Sequence, residues 1–466
     1  MLKFPILASL LTLSTATLAD TPPTCNPTTG PVSVAASTPQ MVYAYQTDHC
    51  NLLDFADNPV RPFLVGNYHN HTVMWFASNS WGYFKSFENP ESSGQLPDLS
   101  TLQREVVNGQ CKRWLSSRFN SDPGQTPIIQ YPITSYHNEI WMVEPYTTDG
   151  QHVYALVHNE YHNNQYDLTN VYGNLVGAVS NDGGDTFQYN ADPANPTDNL
   201  PVFASPYVFP QFVPANPATA DPGTPGSGKG GMFAQTNIIK WGAYYYILVD
   251  RALSTQGGPA PDGMCIYQSP DISNFSAWRG WDAATQTYDV PLVPAYPSSL
   301  TPPEQQQYLC STVLPPDYRF SWSYNTILHK FVIIGIDPIY KAPTDPSQPG
   351  MSLVYTLASI DPSTNALVPE LNPVTKLPVE YFLEKITFMA PGSANTPGLG
   401  YPSLLDPMSP HLAFTDPSIP NPPALDRNYQ YSAAKPFLYY TQFNAGNNLD
   451  RDIVRVPLQV QNCVSS

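Results

Sequence analysis

Residues 174–187 read NLVGAVSNDGGDTF, an apolar run that ends in Ser180-Asn181-Asp182 and then turns through two glycines. A short apolar strand closing on Ser-x-Asp returns as GMCIYQSPD (Ser269, Asp271) and SLVYTLASID (Ser359, Asp361), so the three serines lie 89 and 90 residues apart. Two weaker relatives, TVMWFASNS (Ser78) and PFLYYTQFN (Gln442), extend the series at both ends. Strand-like pairs precede the motif: ITSYHNEIWMVEP and HVYALVHNEYH, MFAQTNIIKW and AYYYILVD, RFSWSYNTILH and KFVIIGID. All are rich in β-branched and aromatic residues and punctuated by Gly, Asn and Pro. One unit is therefore about four short strands and a long loop, present five times. A lone four-stranded sheet cannot bury both faces, whereas five packed around an axis can. The expectation is an all-β, five-bladed β-propeller of four-stranded antiparallel blades; two β-sandwiches would leave the even spacing unexplained.

Composition agrees. Of 466 residues only 12% are charged, against 52 Pro and 12% aromatics, which excludes a disordered chain and long helical arrays. A net charge of −17 with no Lys/Arg cluster excludes a nucleic-acid partner. Pro/Gly/Ser-rich segments at 191–231, 342–350 and 390–428 read as loops decorating one face of the ring.

Met1 to Asp20, MLKFPILASLLTLSTATLAD, has one Lys before an apolar run and small residues at Thr17-Leu18-Ala19. It reads as a signal peptide of residues 1–19, followed by an extended segment over 20–48 and one propeller domain over 49–466. The expected location is secreted, periplasmic or extracellular, with no transmembrane segment and a monomeric state. The six cysteines beyond the cut suggest three disulfides, and the 15 pairings are not separable by sequence. Cys265–Cys310, close in sequence, and Cys25–Cys463, which would tie the two ends, are the preferred pairs.

The run Ser180-Asn181-Asp182-Gly183-Gly184-Asp185-Thr186-Phe187 resembles the Asp box of sialidases and related propellers, with Phe187 where that motif has Trp. SPDISNFSAW (Ser269–Trp278) is similar to a turn of the five-bladed arabinanase, xylosidase and levansucrase group. The box itself is structural, a turn between outer strands. The resemblance implies a glycoside hydrolase using two carboxyl groups, with a base or nucleophile Asp on the first blade and a Glu acid and a helper Asp on later ones.

On that pattern, Asp57 in NLLDFADNPVRPFLV is the base or nucleophile and Arg61 holds the substrate; the bland reading is a turn Asp paired with its neighbouring Arg. Along Val157-His158-Asn159-Glu160-Tyr161-His162, alternate residues fall on one side of a strand. Glu160 is the acid candidate, His158 a substrate contact, and His158 with His162 a candidate shell for a calcium-like divalent cation at the axis. The bland reading is a polar strand end packed against tyrosines. Asp250 is the helper that raises the acid's pKa, with Arg251, Arg319 and Trp81 as further substrate contacts, although strand-end Asp residues often cap turns. The tail 449–456 reads as a closing strand with structural ion pairs. The expected partner is carbohydrate; the alternative is a non-catalytic propeller binding glycan or protein.

No G-x-S-x-G supports serine hydrolysis. GTPGSGKGG (223–231) brushes two nucleotide motifs but lacks the strand–loop–helix context and reads as a turn. Two sequons stand at Asn70-His71-Thr72 and Asn274-Phe275-Ser276.

Overall fold

A computed structural model describes residues 30–35, 38–48, 57–64, 71–78, 81–88, 106–107, 110–111, 139–162, 171–184, 187–189, 201–206, 229–233, 235–252, 262–293, 301–315, 318–337, 350–389, 398–412, 416–444 and 450–462. Five successive antiparallel meanders account for most of them. The first is Asp57–Leu64, His71–Ser78 and Trp81–Glu88. In the second, Glu139–Thr147, Val153–His162 and Val171–Ser180 are followed by the short strands Gln188–Tyr189 and Pro201–Phe203. The third runs Lys229–Phe233 with Ile239–Trp241, Tyr244–Ala252, Gly263–Ser269, and Arg279–Asp282 with Thr312–Leu314. The fourth is Tyr318–Asn325, Lys330–Asp337, Gly350–Ile360, and Leu367–Pro369 with Tyr381–Met389.

The fifth meander is closed by the far end of the chain. Gly398–Leu405, Phe437–Phe443 and Arg451–Val460 pair in turn, and Val32–Val34 and Gln40–Tyr43 add to the outer edge of Arg451–Val460.

The apolar cores lie between consecutive sheets. Leu156, Leu175 and Tyr146 of the second pack on Ile247, Val249 and Trp278 of the third. Tyr246, Leu248 and Ile266 of the third meet Trp322, Phe331 and Ile333 of the fourth. Ile334, Leu353 and Tyr355 of the fourth meet Leu404, Leu438 and Val456 of the fifth. Strands such as Tyr244–Ala252 and Lys330–Asp337 are buried on both faces, which is why YYYILVDRA and KFVIIGID read as continuous apolar runs without alternation. Asp57–Leu64 runs beside Glu139–Thr147 on one side and beside Gly398–Leu405 and Phe437–Phe443 on the other, so the succession of sheets returns to its start. The architecture is a five-bladed propeller.

The Ser-x-Asp ends at Ser180 and Ser269 close the third strands of their blades, and Ser359 lies one residue before the end of the equivalent strand. The two weaker relatives do not: Ser78 and Gln442 lie on second strands. In the fifth blade the third strand, Arg451–Val460, receives its outer neighbour from the N-terminal segment, so no tight turn to a following strand is needed there. At Ser180 the hydroxyl donates to Asp182 (2.6 Å) and accepts from the amide of Gly184 (2.8 Å), while Phe187 is buried. At the other two, Asp271 and Asp361 accept from the amides of Ser273 (2.9 Å) and Ser363 (2.7 Å). These are side chain–backbone turns with a structural task.

The segment 406–433, part of which was expected to decorate the ring, draws together the far ends of four innermost strands. Asn428 bonds Thr147, the Gln430 side chain accepts from the amide of Lys240 and its carbonyl from the amide of Tyr324, and Asp406 accepts from the amide of Ala433. Asp426 organises this crossing by accepting from Ser409 (2.6 Å) and from the amides of Asn428 (3.0 Å) and Gln430 (2.7 Å). Because Thr147, Lys240, Tyr324 and Leu405 stand at or near the ends of their strands, the starts of those strands gather at the opposite pole.

Candidate functional site

That opposite pole, where first strands begin and second strands end, holds most of the candidate residues in blades two to four. Glu139 opens the second blade and pairs with Glu160, which pairs in turn with Gly173. Val171–Gly173 runs parallel to Lys229–Gly231, and Gly231 pairs with Ala252. One row therefore crosses blades two and three: Glu139, Glu160, Gly173, Gly231, Ala252. The 229–231 end of the glycine-rich run, expected to be a turn, is strand. Gly231 has φ +108°, and a Cβ there would sit 2.2 Å from the carbonyl oxygen of Gly173, so only glycine permits the junction.

His158 and Asp250 belong to the same alternate set of positions as this row, one step further along their strands. His158 pairs with Trp141 and Leu175; Asp250 pairs with Phe233 and Met264. Both are buried. Three strand spacings separate Glu160 from Ala252, about 14 Å along the sheet.

Asp250 carries the most perturbed chemistry at this pole. Only 4% of it is exposed, and its Oδ1 has no hydrogen-bond partner among the described residues. Burial first, and then the charge of Asp262, push its carboxyl up to about 7, against the lowering effect of the Arg251 amide and guanidinium. Arg251 is equally buried and donates from Nη1 to the carbonyl oxygen of Cys310. Cys310 is bonded to Cys265, as expected, with 5.9 Å between Cα atoms, and the Tyr267 hydroxyl donates to its Sγ (3.3 Å). The disulfide thus fixes the backbone oxygen that holds Arg251. Cys25 and Cys463 lie outside the described residues.

In the first blade, Asp57 opens the first strand and pairs with Ala77, Arg61 pairs with Trp75, and Trp81 pairs with Ser78. Asp57 and Trp81 therefore stand at one end of that sheet. In the fourth, Arg319 pairs with Gly335 near the start of its strand. The side chains of Asp57, Arg61, Trp81, Glu160, His162 and Arg319 lie outside the described residues. Among the described residues, no group of three His, Cys, Asp or Glu lies together as a metal site would require. No helix among them is long and apolar enough to cross a membrane.

At the fifth blade the charged residues at the start of the closing strand are structural. Asp452 accepts from the amide of Tyr45 (2.7 Å) and from Asn444 (2.8 Å), Asp450 accepts from Asn444 (2.8 Å) and Gln46, and Arg451 lies 4.6 Å from the ring centre of Phe443. Trp241 packs against Tyr324 (4.6 Å) and Phe331 (5.0 Å) at the far pole, filling space between blades. What sequence reasoning missed is the proximity of the Asp262 charge to Asp250 and the bond from Arg251 to Cys310; each joins a strand residue to one outside that strand and leaves no local pattern.

No protein-family model and no curated protein matches the chain. Solved structures similar to it include the GH32 beta-fructofuranosidase of Bombyx mori, at 10% identity and TM-score 0.37, covering 92% of this chain and 65% of that one. The chain thus spans just under two thirds of the length of the Bombyx enzyme. Also similar are the GH93 alpha-L-arabinofuranosidase of Fusarium graminearum in complex with arabinobiose (9% identity, TM-score 0.36, covering 91% and 98%) and the alpha-L-arabinanase of Penicillium chrysogenum (10%, 0.35, 91% and 98%).

Proposed function

We propose that the chain is an exported glycoside hydrolase working at the pole where the first strands begin. Asp57 acts as base or nucleophile, Glu160 as the acid, Asp250 as the helper that keeps the acid protonated, and Arg61 as the substrate clamp. His158, Arg251, Arg319 and Trp81 line the approach. The observation that carries the reading is Asp250: a carboxyl only 4% exposed and pushed up to about 7 at that pole, the kind of perturbed buried group that marks a candidate site. Glu160 would protonate the departing glycosidic oxygen while Asp57 attacks the anomeric carbon or activates water on the opposite face. A calcium-like cation beside His158 and His162 belongs to the same proposal, as does export after removal of residues 1–19.

The test is a panel of aryl glycosides and plant and bacterial glycans, run with and without chelator, on the parent chain and on Asp57→Asn and Glu160→Gln. Turnover of one substrate class, lost by at least about 1,000-fold in each variant with unchanged melting temperature, is the expected result. Retained activity in either variant removes that residue from the mechanism.

A second reading, binding without hydrolysis, is favoured by one feature. Asp250 is two residues from Ala252, which is itself about 14 Å from Glu160 along the sheet. Saturable glycan binding without turnover would select it.

A further inference from the structure

The turn joining Gly263–Ser269 to Arg279–Asp282 carries the sequon Asn274-Phe275-Ser276, with Asn274 as the cap of a short helical turn. Phe275 is buried in the core between the second and third blades and pins the turn; a Cβ on Gly177 would sit 2.5 Å from its ring. Asn274 and Ser276 on either side of it are exposed. Asn274 is extended (φ −106°, ψ 92°) and caps the short helical turn Phe275–Ala277. Its Oδ1 accepts both the amide (3.1 Å) and the hydroxyl (2.7 Å) of Ser276. Those two bonds draw density toward the oxygen and make the Nδ2 protons more acidic, and Nδ2 itself donates to no described residue. Neither Phe275 nor Ala277 is proline, which would forbid this fold of the sequon.

We propose that Asn274 is an N-glycosylation site, modified from a lipid-linked oligosaccharide diphosphate. In the transfer, a bond forms between Nδ2 and the anomeric carbon. The bond from that carbon to the diphosphate oxygen breaks, its electron pair leaves with the lipid diphosphate, and one Nδ2 proton passes to a base of the transferring enzyme. The strand Gly263–Ser269 carries Gly263 at the pole of Asp250 and Ser269 at the other end, about 20 Å away. A glycan on Asn274 therefore projects from the far pole and leaves the candidate site open. The second sequon, at Asn70, lies outside the described residues.

The experiment expresses the full chain in a yeast secretory host, with residues 1–19 replaced by a proven export leader so that translocation is not in question. The secreted protein is treated with an N-glycanase in heavy-oxygen water and mapped by mass spectrometry. The expected result is conversion of Asn274 to an oxygen-18-labelled Asp in most of the secreted chains. Ser276→Ala should abolish the label at Asn274, and Ser276→Thr should retain or raise it, a pair that keeps the test independent of any folding defect in Asn274→Gln. An unlabelled Asn274 in the secreted parent chain overturns the proposal, as does equal labelling of the Ser276→Ala variant.

Discussion

Asn428 grips the backbone of Thr147 by both ends of its amide: Oδ1 accepts from the Thr147 N–H and Nδ2 donates to the Thr147 carbonyl, each at 2.8 Å. It does for the inner strand of the second blade what a neighbouring strand would do, from 281 residues away. Asn428→Ala strands two backbone groups of a buried residue, and each such loss costs roughly 1–3 kcal/mol. We expect urea unfolding to show about 2–4 kcal/mol lost, with Asn428→Asp in between because it keeps the acceptor and loses the donor. An unchanged midpoint in Asn428→Ala would show that this crossing does not hold the ring.

Asp250 should make stability depend on pH in a defined direction. Its folded pKa of about 7 lies above the value near 4 of an unfolded Asp, so the folded chain holds the proton more tightly. The stability due to this proton is complete below about pH 4 and is lost as pH rises toward 7. Asp426, pushed up to about 6 mainly by burial, acts in the same sense, so the comparison must be between variants. Subtracting the melting curve of Asp250→Asn from that of the parent between pH 4 and 8 should leave a decline with rising pH. A flat difference would place the Asp250 pKa near its ordinary value.

Gly231→Ala should be far more damaging than Gly242→Ala. At position 231 the added carbon meets the Gly173 backbone at 2.2 Å with φ +108°, whereas at 242 it meets only the Pro420 ring at 3.8 Å with φ +62°. Thermal melts should show a loss on the order of 3 kcal/mol or more for the first and about 1 kcal/mol for the second. Similar losses would mean that the two blades do not join through these glycines.

Breaking the disulfide should act on stability and on Arg251 together. Cys265 and Cys310 close a separation of 45 residues, for which the chain-entropy relation gives about 4 kcal/mol. The double variant Cys265→Ala/Cys310→Ala should melt at a lower temperature. If the proposed function holds, it should also bind substrate more weakly, because the carbonyl that positions Arg251 is no longer anchored. A raised KM with unchanged kcat is the expected kinetic form.

Much of the fold was legible because its repeat is local. An apolar third strand closing on a Ser-x-Asp turn is written in fewer than ten residues, and Ser180, Ser269 and Ser359 mark successive blades. The series slipped by one strand at Ser78 and Gln442, where an apolar run resembling the motif occupies a second strand. Asp250 was legible as a charge near the end of an apolar strand, beside Val249 and Arg251. The polar crossing of the far pole was not. Asn428, Gln430 and Asp426 bond residues on other blades, and a long-range side chain–backbone bond imposes no periodicity on the chain that contains it. Gly173 and Gly231 likewise signify nothing until the strands are laid side by side.

The pairing of Val32 with Val460 spans 428 positions, so the outermost strand of the last blade arrives from the opposite terminus. During synthesis, residues 32–34 and 40–43 have no partner until residues 451–460 are made, which makes zipping shut the slow, late event of assembly. Before it happens, Arg451–Val460 presents an open edge to which the same segment from another copy fits equally well. Crowded refolding should therefore yield strand-exchanged dimers, and a covalent link between residues 30 and 462 should suppress them.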